Sequence, residues 1–258
     1  MIGQAVFITG AAKGMGRAIT LVLAEAGADI VLAGRDLDTI EPVAQEVRAM
    51  GRQAVVVSCD VTDEASVSAA VAAAWDSLGP DVWALVNIAG GTGPSGKKLW
   101  DHSVDDYAQV FDVNVLGPFL TMKHILPRMN AVGAGAVVNI GGTFGFKGVR
   151  DASAYGATKW ALRGLTKSAA LEAGAYGVRV NMVSPGGVEG PRLTRQLGEA
   201  ATREGMSYDQ VHRRFCATTA LGQMSTDRDV ALSVLFLLGE GGRNITGQDL
   251  LVDGGTIL

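Results

Sequence analysis

At 258 residues, 48% hydrophobic and 19% charged, the chain is too apolar for a disordered segment and long enough to bury a sizeable core. A net charge of −4 with a pI near 5.4 leaves no basic field to attract nucleic acid or an acidic membrane surface. Two distant cysteines outside any C-x-x-C, Cys59 and Cys216, with three histidines in the chain, exclude a disulfide scaffold and a zinc site.

Along the chain, short apolar runs alternate with longer segments of helical period. Ala5–Thr9 reads as the first strand, followed by a glycine turn and a helix through Ala26. Ile30–Ala33 is the second strand, with a helix from about Asp38 to Met50. Ala54–Val57 is the third, before a helix that Thr62 or Asp63 caps. Val82–Ile88 is the fourth, and one long helical stretch from about Ser103 to Met129 precedes a fifth at Ala136–Ile140. A helix from about Ala152 to Ala175, a sixth strand at Val178–Val183 and a seventh at Leu250–Val252 complete the series. The strands are continuously apolar, the pattern of strands covered on both faces, so the series implies βαβ units in one α/β domain. The expected architecture is a Rossmann-like doubly wound parallel sheet of about seven strands. Residues 190–216 are polar, with two short helices and no strand, and read as a substrate lid over the carboxyl edge of the sheet. The N-terminus has no positive n-region and no apolar stretch long enough for a signal peptide or membrane span, so the expected compartment is the reducing cytosol.

After the first strand comes Thr9-Gly10-Ala11-Ala12-Lys13-Gly14-Met15-Gly16-Arg17. Glycines at this spacing let the backbone turn, approach a pyrophosphate and pack the next helix on the sheet, while that helix's free N–H groups face the phosphates. The second strand ends Ala33-Gly34-Arg35-Asp36, where an NAD site usually carries an acid for the ribose hydroxyls. Gly34 removes that carboxylate, and Arg35 can pair bidentately with a 2′-phosphate, with Lys13 a second cation on the same side. This favours NADP(H). If Asp36 turns inward to the ribose instead of capping the next helix, NAD(H) is the cofactor.

Tyr155 and Lys159 lie four apart in a helical stretch, so their side chains share a face. A phenol ordinarily titrates near pH 10, far from neutrality; a neighbouring ammonium favours the phenolate and makes a usable general acid–base. With these two residues in view the chain resembles the short-chain dehydrogenase/reductase family over essentially its whole length. The matching pieces are the turn at Thr9–Gly16, Cys59-Asp60-Val61, Asn87-Ile88-Ala89-Gly90, Asn114 in Asn114-Val115-Leu116-Gly117 and Tyr155-Gly156-Ala157-Thr158-Lys159. Asn181 through Pro185-Gly186, and Ile245-Thr246-Gly247-Gln248 ahead of Asp253-Gly254-Gly255, complete them. The resemblance implies Asp60 and Val61 at the adenine, Asn87, Ala89 and Gly90 bracing the nucleotide, and Pro185, Gly186 and Val188 near the nicotinamide. It implies Tyr155 as proton donor or acceptor, Lys159 on the nicotinamide ribose, Asn114 holding a water in a proton relay, and a homotetramer built through the long central helices. The reaction implied is hydride transfer between the nicotinamide and a secondary alcohol or ketone. Alternatives are a catalytically weak nucleotide-binding regulator and a nicotinamide-dependent epimerase or dehydratase.

Two positions depart from the family pattern. The serine expected thirteen residues before the tyrosine is Gly142, and the adjacent Thr143 can replace it only if the chain bends, since neighbouring strand residues face opposite ways. If the missing hydroxyl limits the chemistry, Gly142→Ser raises turnover on simple ketones. Gly190 stands where many members carry a threonine that contacts the cofactor amide. Five lid arginines (192, 195, 203, 213 and 214) outnumber the lid acids, and Lys97, Lys98, Lys147 and Arg150 flank the site in sequence. An anionic substrate, a carboxylate or sulfonate, is one reading; solvated helix faces are the other.

Overall fold

The computed structural model describes residues 3–79, 82–94 and 96–258. Seven strands, β1 (Ala5–Thr9), β2 (Asp29–Gly34), β3 (Ala54–Ser58), β4 (Val82–Asn87), β5 (Gly135–Ile140), β6 (Val178–Pro185) and β7 (Asp249–Val252), form one parallel sheet in the order β3-β2-β1-β4-β5-β6-β7. Each strand presents successive side chains to opposite faces. Val6 and Ile8 of β1 therefore join one cluster, with Ile19 and Leu23 of α1 (Met15–Glu25), Val43 and Val47 of α2 (Leu37–Ala49) and Val230 and Val234 of α9 (Asp227–Leu238). Ala5 and Phe7 join the other, with Val67 and Val71 of α3 (Glu64–Leu78), Ile125 and Met129 of α5 (Gly117–Val132) and Ala169 and Ala173 of α6 (Ser153–Gly174). Helices thus cover both faces, as the unbroken apolar strands require. The strand order reverses between β1 and β4, and at their carboxyl ends lies the crevice where ligands bind in open sheets of this kind.

Two expectations change. The single helix read from Ser103 to Met129 is α4 (Val104–Phe111), a π turn at Asp112–Leu116, and then α5. Pro118, at the start of α5, has no N–H to give the carbonyl of residue 114, so one rung of the α-helical ladder is missing here. The Gly117 N–H instead reaches five residues back, to Asp112. The sequence reading also left out α9. Its signal is present: Thr226 and Asp229 form a reciprocal capping box directly before an apolar run. The helix that Thr62 or Asp63 was expected to open is capped by Asp63, which accepts from the Ala65 N–H at 3.0 Å.

Residues 190–216 do form two helices, α7 (Pro191–Glu204) and α8 (Tyr208–Cys216). Together with Met224, which follows them, they enclose a small apolar cluster around Leu197, Ala201 and Val211. Phe215 and Leu193 rest on Gly187, where a methyl group would overlap the Phe215 ring. The segment therefore packs directly on the loop that leaves β6.

Candidate active site

The turn between β1 and α1 is a close-packed cradle. A Cβ at Gly10 would sit 2.9 Å from the Ala89 nitrogen, and one at Gly16 would overlap the Gly10 carbonyl oxygen. Thr9 fixes the neighbouring β4 loop, its hydroxyl oxygen accepting from the Ile88 and Ala89 N–H groups at 3.1 and 3.2 Å. Gly14 caps α1 with φ 51, and no side chain caps the start of that helix. A dinucleotide pyrophosphate fits this arrangement of bare backbone, positive helix end and switch point. Among the candidates, Gly10, Lys13 and Gly14 lie in the turn, Met15 and Gly16 open α1, and Ala89 and Gly90 lie in the loop beside it.

At the adenosine end, Arg35 follows β2 with its side chain 77% exposed and Nη1 3.8 Å from an oxygen of Asp60. Asp36 does not turn inward; its carboxylate accepts from the Thr39 N–H at 3.3 Å and caps α2. Asp60 accepts from the Thr62 N–H at 3.0 Å and hydroxyl at 2.7 Å. These bonds, the backbone one foremost, hold its carboxyl below the ordinary range, with Arg35 adding to them. Val61 packs against Gly117, where a Cβ would come within 3.0 Å of the valine methyl. Cys59 is buried, and burial pushes its thiol up to about 11, which removes it as a nucleophile.

Asn87 belongs to a buried network rather than to the crevice wall. Its Nδ2 donates to Asn139 Oδ1 at 2.9 Å, its Oδ1 accepts from the Thr121 hydroxyl at 2.7 Å, and Asn139 donates in turn to Thr166 at 2.9 Å. The network joins β4, β5, α5 and α6, the last of which bears Tyr155 and Lys159. Any support Asn87 gives the nucleotide runs through the strand end it fixes.

Asn114 sits in the π turn, 2% exposed. Its Oδ1 accepts from the Gly91 N–H at 2.8 Å, and its Nδ2 donates to the Gly91 carbonyl at 2.8 Å and to Thr158 Oγ1 at 3.1 Å. Both ends of the amide are engaged. Thr158 passes the link on, its hydroxyl donating to the Tyr155 carbonyl at 2.7 Å. Gly90 packs against the same amide, its would-be Cβ 3.0 Å from Oδ1.

Tyr155 and Lys159 occupy the first turns of α6. Lys159 is 7% exposed; its Nζ donates to the Ile140 carbonyl at the end of β5 at 3.1 Å and lies 5.4 Å from the centre of the Tyr155 ring. Phe144 meets that ring edge-on at 5.3 Å. The chain bends after β5: Gly142, at φ 158 and ψ 157, opens a 3₁₀ turn over Thr143–Gly145. A Cβ built on Gly142 would lie 3.9 Å from the Tyr155 hydroxyl oxygen and 3.8 Å from the Pro185 carbonyl. The glycine therefore leaves open the place beside the phenol, with the end of β6 as its other wall. Thr143 is buried, and among the described residues its hydroxyl makes no hydrogen bond. Pro185 ends β6, Gly186 is wedged against Asp253, and Val188 pairs with Ser225 in an isolated parallel bridge. Beyond it, a cavity of about 300 Å³ opens under the helical segment, walled by Glu189, Leu193, Tyr208, His212 and Met224.

A parallel sheet carrying a glycine turn at its switch point is the architecture of a dinucleotide-dependent enzyme. The family model for short chain dehydrogenases matches residues 4–201. The trans-4-hydroxycyclohexanecarboxylate dehydrogenase of Sinomonas cyclohexanicum is 35% identical, covering 96% of this chain and 90% of its own. Among solved structures, NAD+-bound xylitol dehydrogenase superposes with a TM-score of 0.92 at 30% identity, covering 98% of this chain and 99% of that one. A variant of actinorhodin polyketide ketoreductase with NADPH superposes with a TM-score of 0.90 at 31% identity, covering 98% and 97%. The chain belongs to the short-chain dehydrogenase/reductase family and is an NAD(P)-dependent oxidoreductase. Among the described residues, no helix is long and apolar enough to cross a membrane.

Proposed function

We propose that the protein interconverts a secondary alcohol and its ketone, with Tyr155 as general acid–base. The observation that carries this reading is the Tyr155–Lys159 pair set against the end of β5, beside an open place left by Gly142 at the phenol oxygen. When bound, the nicotinamide takes up the carbinol hydride as a two-electron acceptor, or returns it in reduction. In oxidation the phenol oxygen of Tyr155 receives the hydroxyl proton, and in reduction it donates one to the carbonyl oxygen. Lys159 supplies positive charge beside the ring and is the residue we assign to the nicotinamide ribose. Asn114 is assigned to the relay through its main chain: its amide is occupied, Pro118 withholds the N–H that an α-helix would give its carbonyl, and that carbonyl is the group to which we assign a relay water. Thr143, brought round by the bend at Gly142, is the hydroxyl that holds the substrate oxygen.

For the cofactor we favour NADP(H). Asp36 is occupied as a helix cap, while Arg35 is largely exposed, with the carboxylate of Asp60 at 3.8 Å as its ion-pair partner. A 2′-phosphate offers Arg35 a bidentate partner, and Lys13 a second contact. Arg35→Ala is expected to lower kcat/KM for NADP+ by roughly ten- to a hundredfold, the size of one charge-assisted contact, and to leave that for NAD+ nearly unchanged. Steady-state rates with each cofactor check this, and an equal loss with both overturns it.

The substrate proposed is a small ring alcohol bearing a carboxylate. Two observations support it: the relative that acts on a hydroxycyclohexanecarboxylate, and the distribution of charge around the site. Lys97 is bound to Asp106 at 2.6 Å, and Lys98 to Asp151 at 3.2 Å; Asp151 also accepts from the Gly96 N–H at 3.1 Å, which ties the β4 loop to the entrance of α6. Lys147 and Arg150, on the loop between Thr143 and Tyr155, have no ion pair among the described residues. The test follows absorbance in the reduced-nicotinamide band with matched cyclohexanols, one neutral and one carboxylated. A higher kcat/KM for the acid is expected, and equal values remove the anionic substrate while leaving the alcohol chemistry standing.

Trp160 and Leu171 of α6, with Tyr107 of α4 and Phe119 of α5, leave apolar surface exposed on the long helices. We assign that face to a homotetramer, which light scattering checks. Two free cysteines accord with a reducing, cytoplasmic setting.

A further inference from the structure

Beside the phosphate turn stands a carboxylate that the mechanism does not use. A Cβ on Gly14 would lie 3.9 Å from Asp227 Oδ2. Thr226 and Asp229 complete the cap of α9 between themselves, and among the described residues the Asp227 carboxylate has neither a hydrogen bond nor an ion pair. As the first residue of α9, Asp227 gains from that helix's positive end, yet at the rim of an anion site its charge opposes the anion that the site is built for. A cation held between the two would offset that repulsion.

Of the cations near the turn, Lys13 is assigned to the 2′-phosphate, Arg17 is paired with Glu46 at 2.5 Å, and Arg228 with Glu25 at 3.6 Å. In the lid, Arg195 faces Glu199, and Arg203 and Arg214 share Glu204. Arg192 has no ion pair among the described residues, and it stands at the second position of α7, directly after Gly190 and Pro191. The backbone fixes it relative to Asp227. Val188 and Ser225 form a parallel bridge, the Ser225 N–H donates to the Gly187 carbonyl at 3.0 Å, and the Glu189 N–H donates to the Ser225 carbonyl at 2.9 Å. The root of the lid and the root of α9 are thus stitched together, three residues before Arg192 and two before Asp227. Burial raises the Asp227 carboxyl above the ordinary range, and the Arg192 charge works against that shift.

We propose that Arg192 is a cofactor ligand, its guanidinium reaching from the lid over the phosphate turn to the pyrophosphate, with Asp227 as the positioning residue that holds it there. Gly190 offers no side chain to the cofactor, and around it a Cβ would meet nothing within 4 Å. The arginine two residues on supplies the lid's contact instead and couples its closure to cofactor binding. The inference rests on the cofactor lying along the glycine turn.

The test measures dissociation constants of NADPH and NADH by nucleotide fluorescence, without substrate. Binding by the unaltered protein first establishes the turn as the site; failure there removes the reading beneath the proposal. Arg192→Gln is then expected to weaken both nucleotides alike by about tenfold or more, because both carry the pyrophosphate, and to flatten the dependence of binding on salt. Arg192→Lys should recover part of the loss, and Asp227→Asn should weaken both by a smaller factor. Unchanged constants for Arg192→Gln, including a change confined to the KM of an anionic substrate, overturn the proposal. So does a loss confined to NADPH, which would place the guanidinium on the 2′-phosphate. Tighter binding by Asp227→Asn overturns the positioning role and makes that carboxylate a simple repulsive charge.

Discussion

Tyr155→Phe is expected to lower kcat by about 10²–10⁴-fold, the range a positioned acid–base supplies, while the dissociation constant for the nucleotide stays within a factor of about two. The substitution removes one oxygen and keeps the ring. The edge-on contact with Phe144 at 5.3 Å and the position of the ring relative to the Lys159 ammonium are made by the aromatic body, so the variant should fold and pack as before. The glycine turn, built from Gly10, Gly14 and Gly16 and braced by Thr9, makes no use of the phenol. Turnover followed in the reduced-nicotinamide band, alongside fluorescence titration of the cofactor, separates the two effects. Catalysis unchanged in this variant would end the assignment of Tyr155. A parallel loss of nucleotide binding would instead make the tyrosine part of the cofactor site.

The sheet was legible because its strands are covered on both sides. Val6, Phe7 and Ile8 must all be apolar when successive residues enter opposite cores, and an unbroken run of that kind needs no partner to be recognised. The glycine turn was equally plain, since its spacing and its place after β1 carry the physical meaning. Positions where local geometry overrides pattern were less visible. The periodicity spans 103 to 129 as one helix, and it does not register the π turn at Asp112–Leu116, where the Gly117 N–H reaches five residues back to Asp112. Asp36 had two chemically reasonable partners in the sequence, a ribose or its own helix, and only coordinates place its carboxylate on the Thr39 N–H. Asn87 and Asn114 were named for the site, yet their amides are committed to Asn139 and Thr121 in one case and to Gly91 and Thr158 in the other. No spacing rule relates Arg192 to Asp227, because a single bridge between Val188 and Ser225 brings their neighbourhoods together.

The hydroxyl missing at position 142 defines the second large effect. Thr143→Val is expected to reduce kcat by about 10²–10³-fold, the usual cost of removing one donor from a developing oxyanion. Valine nearly matches threonine in shape, so the buried site stays filled and the loss reports the hydroxyl. Adding Gly142→Ser to that variant should restore activity by tenfold or more. The reason is geometric: the Cβ of residue 142 would point into the place 3.9 Å from the Tyr155 oxygen and meets nothing closer than the Pro185 carbonyl at 3.8 Å, which leaves room for a serine hydroxyl beside the phenol. Recovery should be incomplete. Gly142 lies at φ 158 and ψ 157, at the edge of a region that residues with a side chain avoid, and its N–H is held by Ser184 Oγ at 3.1 Å. A serine there must turn the backbone toward the ordinary extended region, at a cost of about 1–3 kcal/mol in stability, seen as a lowered Tm. Kinetics of the two single variants and the double variant on one ketone form the measurement. If Thr143→Val retains full activity, the threonine is not the donor, and a rise in the Gly142→Ser single variant would then show that this site works without a hydroxyl which the fold still has space to accept.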